Sequence, residues 1–358
     1  MDCIMTNLTT LSSYSINLLK QLIAIPSFSK EEDKTADLIE SALQEHGVSP
    51  RRVGNNVIAY NKYFVEGKPT ILLNSHHDTV KPNPAYSRDP FLPAEEEGKL
   101  YGLGSNDAGG CLVALIAAFL YFYERKDLEY NLCLIASAEE EISGKAGIEE
   151  AYKHVADCAF AIVGEPTLLD LAIAEKGLMV LDCTAHGVSG HAAREEGVNA
   201  IYQAIADIEW FRTYQFPKKS AFLGPVKMSV TMISAGAQHN VVPATCEFVV
   251  DVRTTDAYSN VEVLNIIKEH VTCDVQARST RLNPSSISLD HPVVQSGLAL
   301  GKKTYGSPTM SDQALLPIPS VKVGPGDSAR SHTADEFIYV SEINEGVHFY
   351  IQLLEGIL

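Results

Sequence analysis

The 358-residue chain predicts an α/β protein whose mostly parallel sheet is interrupted by a smaller α+β domain. Two observations lead there. Helix-like and strand-like segments alternate through the first part, and the strand candidates are mainly apolar, as strands buried on both faces are. The middle changes to partly alternating strands with helical stretches between them, and the first style returns near Leu289. The length exceeds what one core usually serves, which also favours two domains. The simplest topology is a discontinuous first domain, residues 1–174 and 284–358, with a second domain inserted at 175–283.

The opening segment reads as an amphipathic helix with Leu18, Leu19, Leu22 and Ile23 on one stripe, without the basic start and cleavage site of a signal peptide. A second amphipathic helix, EEDKTADLIESALQEHG, ends at Gly47. NVIAY and TILLNSHHDTV read as strands, and AGGCLVALIAAFLYFYERK as a mostly buried helix. NLCLIASAEEE is a strand, GKAGIEEAYKHV a helix and CAFAIVGEPT a strand. In the middle, LMVLDCTAHG, KMSVTMISAG, ATCEFVVDVRT and CDVQARST read as strands of an antiparallel sheet. GVNAIYQAIADIEWFRTY and SNVEVLNIIKEHV are the helices expected on one of its faces. The tail adds helix HPVVQSGLALGKKTYG, strand PSVKVGPG and helix VSEINEGVHFYIQLLEGI.

Lys plus Arg is 28 and Asp plus Glu is 45, a net charge of −17, which argues against nucleic acid or an anionic membrane as partner. No apolar span long enough to cross a bilayer is expected. The seven cysteines, at 3, 111, 133, 158, 183, 246 and 273, form no C-x-x-C pair and mostly lie in apolar runs. There a free thiol acts as a small hydrophobe, and a reducing, cytoplasmic location follows as an expectation.

Four apolar strands end in acids or histidines: His76 and Asp78, Glu139 to Glu141, Glu165, and Asp327 with His332. Asp107 lies in the glycine-rich turn before the buried helix. Parallel sheets bind ligands outside the carboxyl ends of their strands, so these side chains are expected along one edge. Histidine and carboxylate donors without thiolates suit zinc, cobalt or manganese. Taken singly, His76 reads as a hydrogen-bonded surface histidine and the glutamate run as a solvated face. GLGSNDAGG lacks the spacing of a dinucleotide-binding turn. The convergence of four similar strand ends outweighs those separate readings.

Jointly the pattern resembles the M20 family of zinc aminoacylases and peptidases, in its acetylornithine deacetylase and succinyl-diaminopimelate desuccinylase branch. The matching segments are His76-His77-Asp78-Thr79-Val80, the turn Gly102 to Gly110, Glu139-Glu140-Glu141, Gly164-Glu165-Pro166 and His332-Thr333-Ala334-Asp335-Glu336. The resemblance implies a zinc-peptidase-type catalytic domain and an inserted lid or dimerisation domain. It implies two divalent metal ions, one on His76 and Glu165, the other on Glu141 and His332, with Asp107 bridging. Asp78 would orient His76, and Glu140 would be the general acid/base. The bond Asp107–Ala108 is a candidate for the cis form. In the inserted domain, His191 in SGHAAREEGVNAI would be the oxyanion donor, supplied across a homodimer in dimeric relatives. Asn240 and Arg253 in HNVVPATCEFVVDVR would bind substrate, Arg253 through a carboxylate.

Departures from the family pattern are Leu103, Ala108-Gly109, His77 and the Glu195-Glu196 pair where many relatives have proline. All metal positions are kept. The implied activity is removal of an acetyl or succinyl group from the α-amine of a small amino acid such as N-acetylornithine, in arginine or lysine biosynthesis. Two alternatives stand beside it, a metallo-aminopeptidase or dipeptidase and a non-catalytic metal-binding dimerisation protein.

Overall fold

Four consecutively paired parallel strands form the middle of the main sheet: Asn131–Ser137, Thr70–His76, Cys158–Val163 and Ser320–Lys322. In the computed structural model, which describes residues 7–155, 157–194 and 196–358, every position of Thr70–His76 and Asn131–Ser137 is buried. That is why these segments read as unbroken apolar runs rather than alternating ones. Antiparallel strands extend this group, Asn56–Tyr60 and Arg51–Val53 on one side and Leu171–Glu175 on the other. Cys3 and Glu195 lie outside the described residues.

The chain divides into two compact units. The first comprises Met1–Ile173, Ile287–Tyr305 and Ser311–Leu358; the second comprises Ala174–Ser286 and Gly306–Met310. In the first, helices Leu8–Ile23, Gly110–Tyr123 and Val340–Glu355 share one core with the sheet, through Leu18, Leu19, Leu115, Phe119, Val347 and Tyr350. The helix Gly110–Tyr123 has no polar face, and all its residues but Tyr121 are buried. Contrary to the sequence-based expectation, Ser105–Tyr123 is long and apolar enough to cross a membrane, with mean hydropathy 1.4, yet 83% of that stretch is buried inside the protein. Its close seating needs glycine: a Cβ on Gly109 would lie 2.4 Å from the carbonyl oxygen of Gly104.

The second unit holds a four-stranded antiparallel sheet in the order Lys227–Ala235, Thr245–Thr254, Gly177–His186 and Asp274–Ala277. Burial alternates along Gly177–His186 and Thr245–Thr254, as a sheet covered on one face requires. Met179, Leu181, Phe248 and Val250 pack with Ala204, Phe211, Val263 and Ile267 from helices Ala200–Thr213 and Asn260–His270. Asn199 caps the first helix, and Ser259 with Glu262 forms a capping box on the second.

Two local expectations differ. GKAGIEEAYKHV gives only the short helix Ile148–Tyr152, which starts after Gly147, a residue at non-helical φ −82 and ψ −137. A three-stranded sheet of Ala94–Glu96, Lys99–Tyr101 and Phe337–Tyr339 was not anticipated. Its hairpin turns on Glu97 and Gly98, both at positive φ, as a tight two-residue connection demands. The six described cysteines are buried and free, in keeping with thiols used as core side chains.

Candidate metal centre and active site

The parallel strands deliver their next residues to one edge of the sheet. His76 is the last residue of its strand, Glu139 to Glu141 follow Asn131–Ser137, and Glu165 follows Cys158–Val163. Asp107 enters from the turn before helix Gly110–Tyr123, with a cis bond to Ala108. Two donor groups result, His76 with Asp107 and Glu165, and Asp107 with Glu141 and His332, and the donor atoms of each lie within 4.8 Å of one another. His76 Nε2 is 3.3 Å from Asp107 Oδ1 and 3.7 Å from Glu165 Oε1. His332 Nε2 is 3.0 Å from Glu141 Oε2 and 3.7 Å from Asp107 Oδ2. Asp107 is therefore common to both groups, one carboxyl oxygen toward each histidine. Glu140 belongs to neither, yet its Oε2 lies 3.9 Å from His76 Nε2.

Further acids hold the loops that carry these donors. Asp78 is buried, and its Oδ1 is 3.5 Å from His76 Nδ1, which also faces the Asp78 carbonyl at 3.0 Å. The same carboxyl accepts from the N–H groups of Glu140 and Glu141, at 3.0 and 3.2 Å, and from the Ser29 hydroxyl at 2.7 Å. Asp78 thus addresses His76 and the acid run together. Glu336, the last residue of the late histidine motif, accepts from the N–H groups of Gly104, Asn106 and Asp107 at 3.1, 2.8 and 2.9 Å. It fixes the turn that presents Asp107, a role the motif alone does not reveal. Asp327 clamps Asn106 through its backbone, donating to Oδ1 at 3.0 Å and accepting from Nδ2 at 3.1 Å, rather than offering its carboxyl to the donor groups.

Burial and like charge govern the electrostatics. Burial, then the neighbouring Asp107 and Glu141, push the Glu165 carboxyl up to about 8. Burial first, then Glu165, Asp312 and Glu141, hold Glu140 well above the usual carboxyl range against the pull of His76. Burial opposes the His76 imidazolium, but Asp107 and Asp78 outweigh it and raise its pKa. The bond to Glu141 lifts His332 to about 9. Asp107 is lowered despite its burial, chiefly by His76. Buried acids that repel one another, beside two histidines and no thiol, form a donor set that suits hard or borderline divalent cations. Asp312, which the sequence reading passed over, is buried, accepts from Ser137 Oγ at 2.6 Å and is pushed by burial to about 6.

The remaining candidates lie in the second unit. His191 and Asn240 are neighbours there: the two-residue strands Gly190–His191 and Val241–Val242 pair, and Ala192 N–H donates to the Asn240 carbonyl at 3.0 Å. Both side chains are exposed, and His191 Nδ1 accepts from Ala193 N–H at 3.1 Å. Arg253 is engaged by its own strand. Its Nε and Nη2 donate to the two carboxyl oxygens of Asp251 at 2.9 and 3.1 Å, so an incoming carboxylate has to share or displace that partner.

Residues 72–356 match the pattern described as Peptidase family M20/M25/M40, some four-fifths of the chain. The chain belongs to the M20 family. As an M20 member it is a hydrolase. It is 30% identical over 377 residues to acetylornithine deacetylase of Proteus mirabilis, covering 95% of this chain and 96% of that one. It is 26% identical to succinyl-diaminopimelate desuccinylase 2 of a Ruegeria species, covering 92% and 91%. Among solved structures, a dinuclear metal binding M20 peptidase of Bacillus subtilis superposes with a TM-score of 0.73 at 17% identity, covering 97% of this chain and 98% of that chain. The M20 fold is thereby shown, with its mostly parallel sheet and separate antiparallel sheets.

Proposed function

We propose that this M20 hydrolase is a dinuclear-metal amidohydrolase that removes an acetyl or succinyl group from the α-amine of a small amino acid. The observation that carries the reading is the place of Glu140, a partly buried carboxyl 3.9 Å from His76 and a member of neither donor group. A binding protein has no need of such a group. The deacetylase and desuccinylase relatives support the substrate class, and the Bacillus neighbour supports two cations.

His76, Asp107 and Glu165 would hold one cation and Asp107, Glu141 and His332 the other, with zinc the first candidate and cobalt or manganese next. Such a pair supplies Lewis-acid polarisation of the amide carbonyl and acidifies water. Glu140 then takes a proton from the attacking water at a carboxyl oxygen and returns it to the leaving amine nitrogen. Burial and neighbouring acids raise its pKa, which suits a group that gains and then loses that proton. Asp78 holds the Glu140 and Glu141 N–H groups and faces His76, which keeps base and ligands in register. Oxyanion donation by His191 and substrate contact by Asn240 and Arg253 rest on the family resemblance. A homodimer is the assembly we propose, supported by the exposed Met232 and Ile233 on strand Lys227–Ala235 and Tyr202 and Ile205 on helix Ala200–Thr213. Replacing Met232 and Ile233 together with aspartate should yield a monomer in sedimentation.

A panel that varies acyl group and amino acid independently, with dipeptides bearing a free α-amine, tests the substrate. Dipeptide turnover alone would favour the peptidase reading. Metal-loaded protein that turns over nothing while binding two cations would remove the enzyme reading. Glu140→Ala should keep its metal content and lose activity by about 10²- to 10⁴-fold. Equal loss of metal and turnover would exchange the roles of Glu140 and Glu141.

A further inference from the structure

Glu32 is fully buried in the first unit and stands at the N-cap position of helix Asp33–Glu45, yet its side chain does not cap that helix. Its carboxyl turns elsewhere. Oε1 accepts from Lys30 N–H at 2.6 Å and from Glu139 N–H at 3.2 Å, and Oε2 accepts from Asn55 Nδ2 at 2.8 Å. The next two N–H groups of the acid run go to Asp78, and the preceding one, of Ala138, goes to Asn56 Oδ1 at 3.0 Å. Consecutive backbone donors from Ala138 to Glu141 therefore all end on side-chain oxygens from other parts of the chain. Glu139 itself has φ 55, the left-handed conformation that a residue with a side chain rarely adopts. The loop does not hold that shape by local preference, so tertiary contacts must hold it.

We propose that Glu32 is a positioning residue for the acid run, acting through the Glu139 N–H to set the direction in which the loop presents Glu140 and Glu141. It touches no reacting atom. The inference rests on the reading of Glu140 as proton carrier and Glu141 as metal ligand. It adds a residue from the beginning of the chain whose function no metal-binding pattern contains. Asp78 fixes the loop from the side of His76; Glu32 fixes the point where the loop leaves its strand.

The test uses the full chain loaded with cobalt and the variants Glu32→Ala, Glu32→Asp and Glu32→Gln. Alanine removes the acceptor, aspartate withdraws it by one methylene, and glutamine keeps one oxygen able to take the Lys30 and Glu139 N–H groups. The expected result is a kcat lowered by about 10- to 100-fold in the alanine and aspartate variants, with little change in KM, as supporting residues behind ligands give. The visible cobalt bands should shift in the same two variants, and glutamine should restore both kcat and spectrum. Folded alanine or aspartate variants with wild-type kcat and bands would overturn the proposal. So would a glutamine variant as impaired as alanine. If alanine does not fold, aspartate decides. A wild-type chain that hydrolyses no member of the panel sinks the proposed function, while the cobalt bands still decide whether Glu32 positions the loop.

Discussion

His77 sits between His76 and Asp78 without serving either. Its imidazole is buried, with Nε2 facing the Asn55 carbonyl at 3.0 Å and Nδ1 facing Thr35 Oγ1 at 2.9 Å. Nε2–H donates to the carbonyl, and burial favours the neutral ring, lowering its pKa to about 4. In the unfolded chain the same ring titrates near the ordinary histidine value. The folded state therefore binds fewer protons, and stability is kept above pH about 6.5 and lost as pH falls toward about 4. Metal-free wild type should lose about 2 kcal/mol more unfolding free energy than His77→Gln between pH 7.5 and 5, read by urea titration at each pH. In the sequence His77 showed only as a departure from a motif, because burial and ring partners are not written in neighbouring letters. Glu32 and Glu336 escaped for a related reason: they act on backbone N–H groups, which have no residue identity.

At the level of elements, legibility followed burial. The strands Thr70–His76 and Asn131–Ser137 read correctly because both faces are covered, and Gly177–His186 because one face is. The short helix Ile148–Tyr152 was overread, since its pattern continues past the point where packing stops it. The Asp251 partner of Arg253 was also missed, although the two alternate on one strand face, since a D-x-R pattern equally suits an exposed pair. Helix Asn260–His270 depends on its first residue. Asn260 is fully buried, accepts from Thr254 Oγ1 at 2.6 Å and sends Nδ2 to the carbonyls of Leu178, Thr280 and Leu282. Replacing it with alanine strands several buried groups, and a loss of about 2–4 kcal/mol is expected. Circular dichroism on thermal unfolding of Asn260→Ala measures it, and an unchanged midpoint would show that water takes over those partners.

Across the whole molecule, the candidate centre was legible because parallel topology sends every strand end to the same edge. Chain order and apolar runs brought His76, the acid run and Glu165 to one edge, but they also put Asp327 there, whose backbone instead clamps Asn106. They could not give the two groups their shared Asp107 oxygens, which depend on the turn held by Glu336. The bare cluster stores protons: Glu165 at about 8 and His332 at about 9 both carry one at pH 7. In the proposed function Glu165 and His332 would bind the cations deprotonated, so loading should release more than one proton per protein near neutrality, measured with an indicator dye in weak buffer. By the same sign, metal affinity should fall steadily below pH 7, and chelation should lower the thermal midpoint.

The helix Gly110–Tyr123 leads to a different kind of outcome. Lacking a polar face, it is at ease only inside the folded unit. Any state that loosens the first unit offers water a stretch of mean hydropathy 1.4, and apolar surface exposed in that way is prone to aggregate. Heated protein should therefore turn cloudy and fail to regain its starting signal on cooling, with the apparent midpoint rising as the scan is run faster. During synthesis the same segment emerges before the strands Cys158–Val163 and Ser320–Lys322 that complete the sheet.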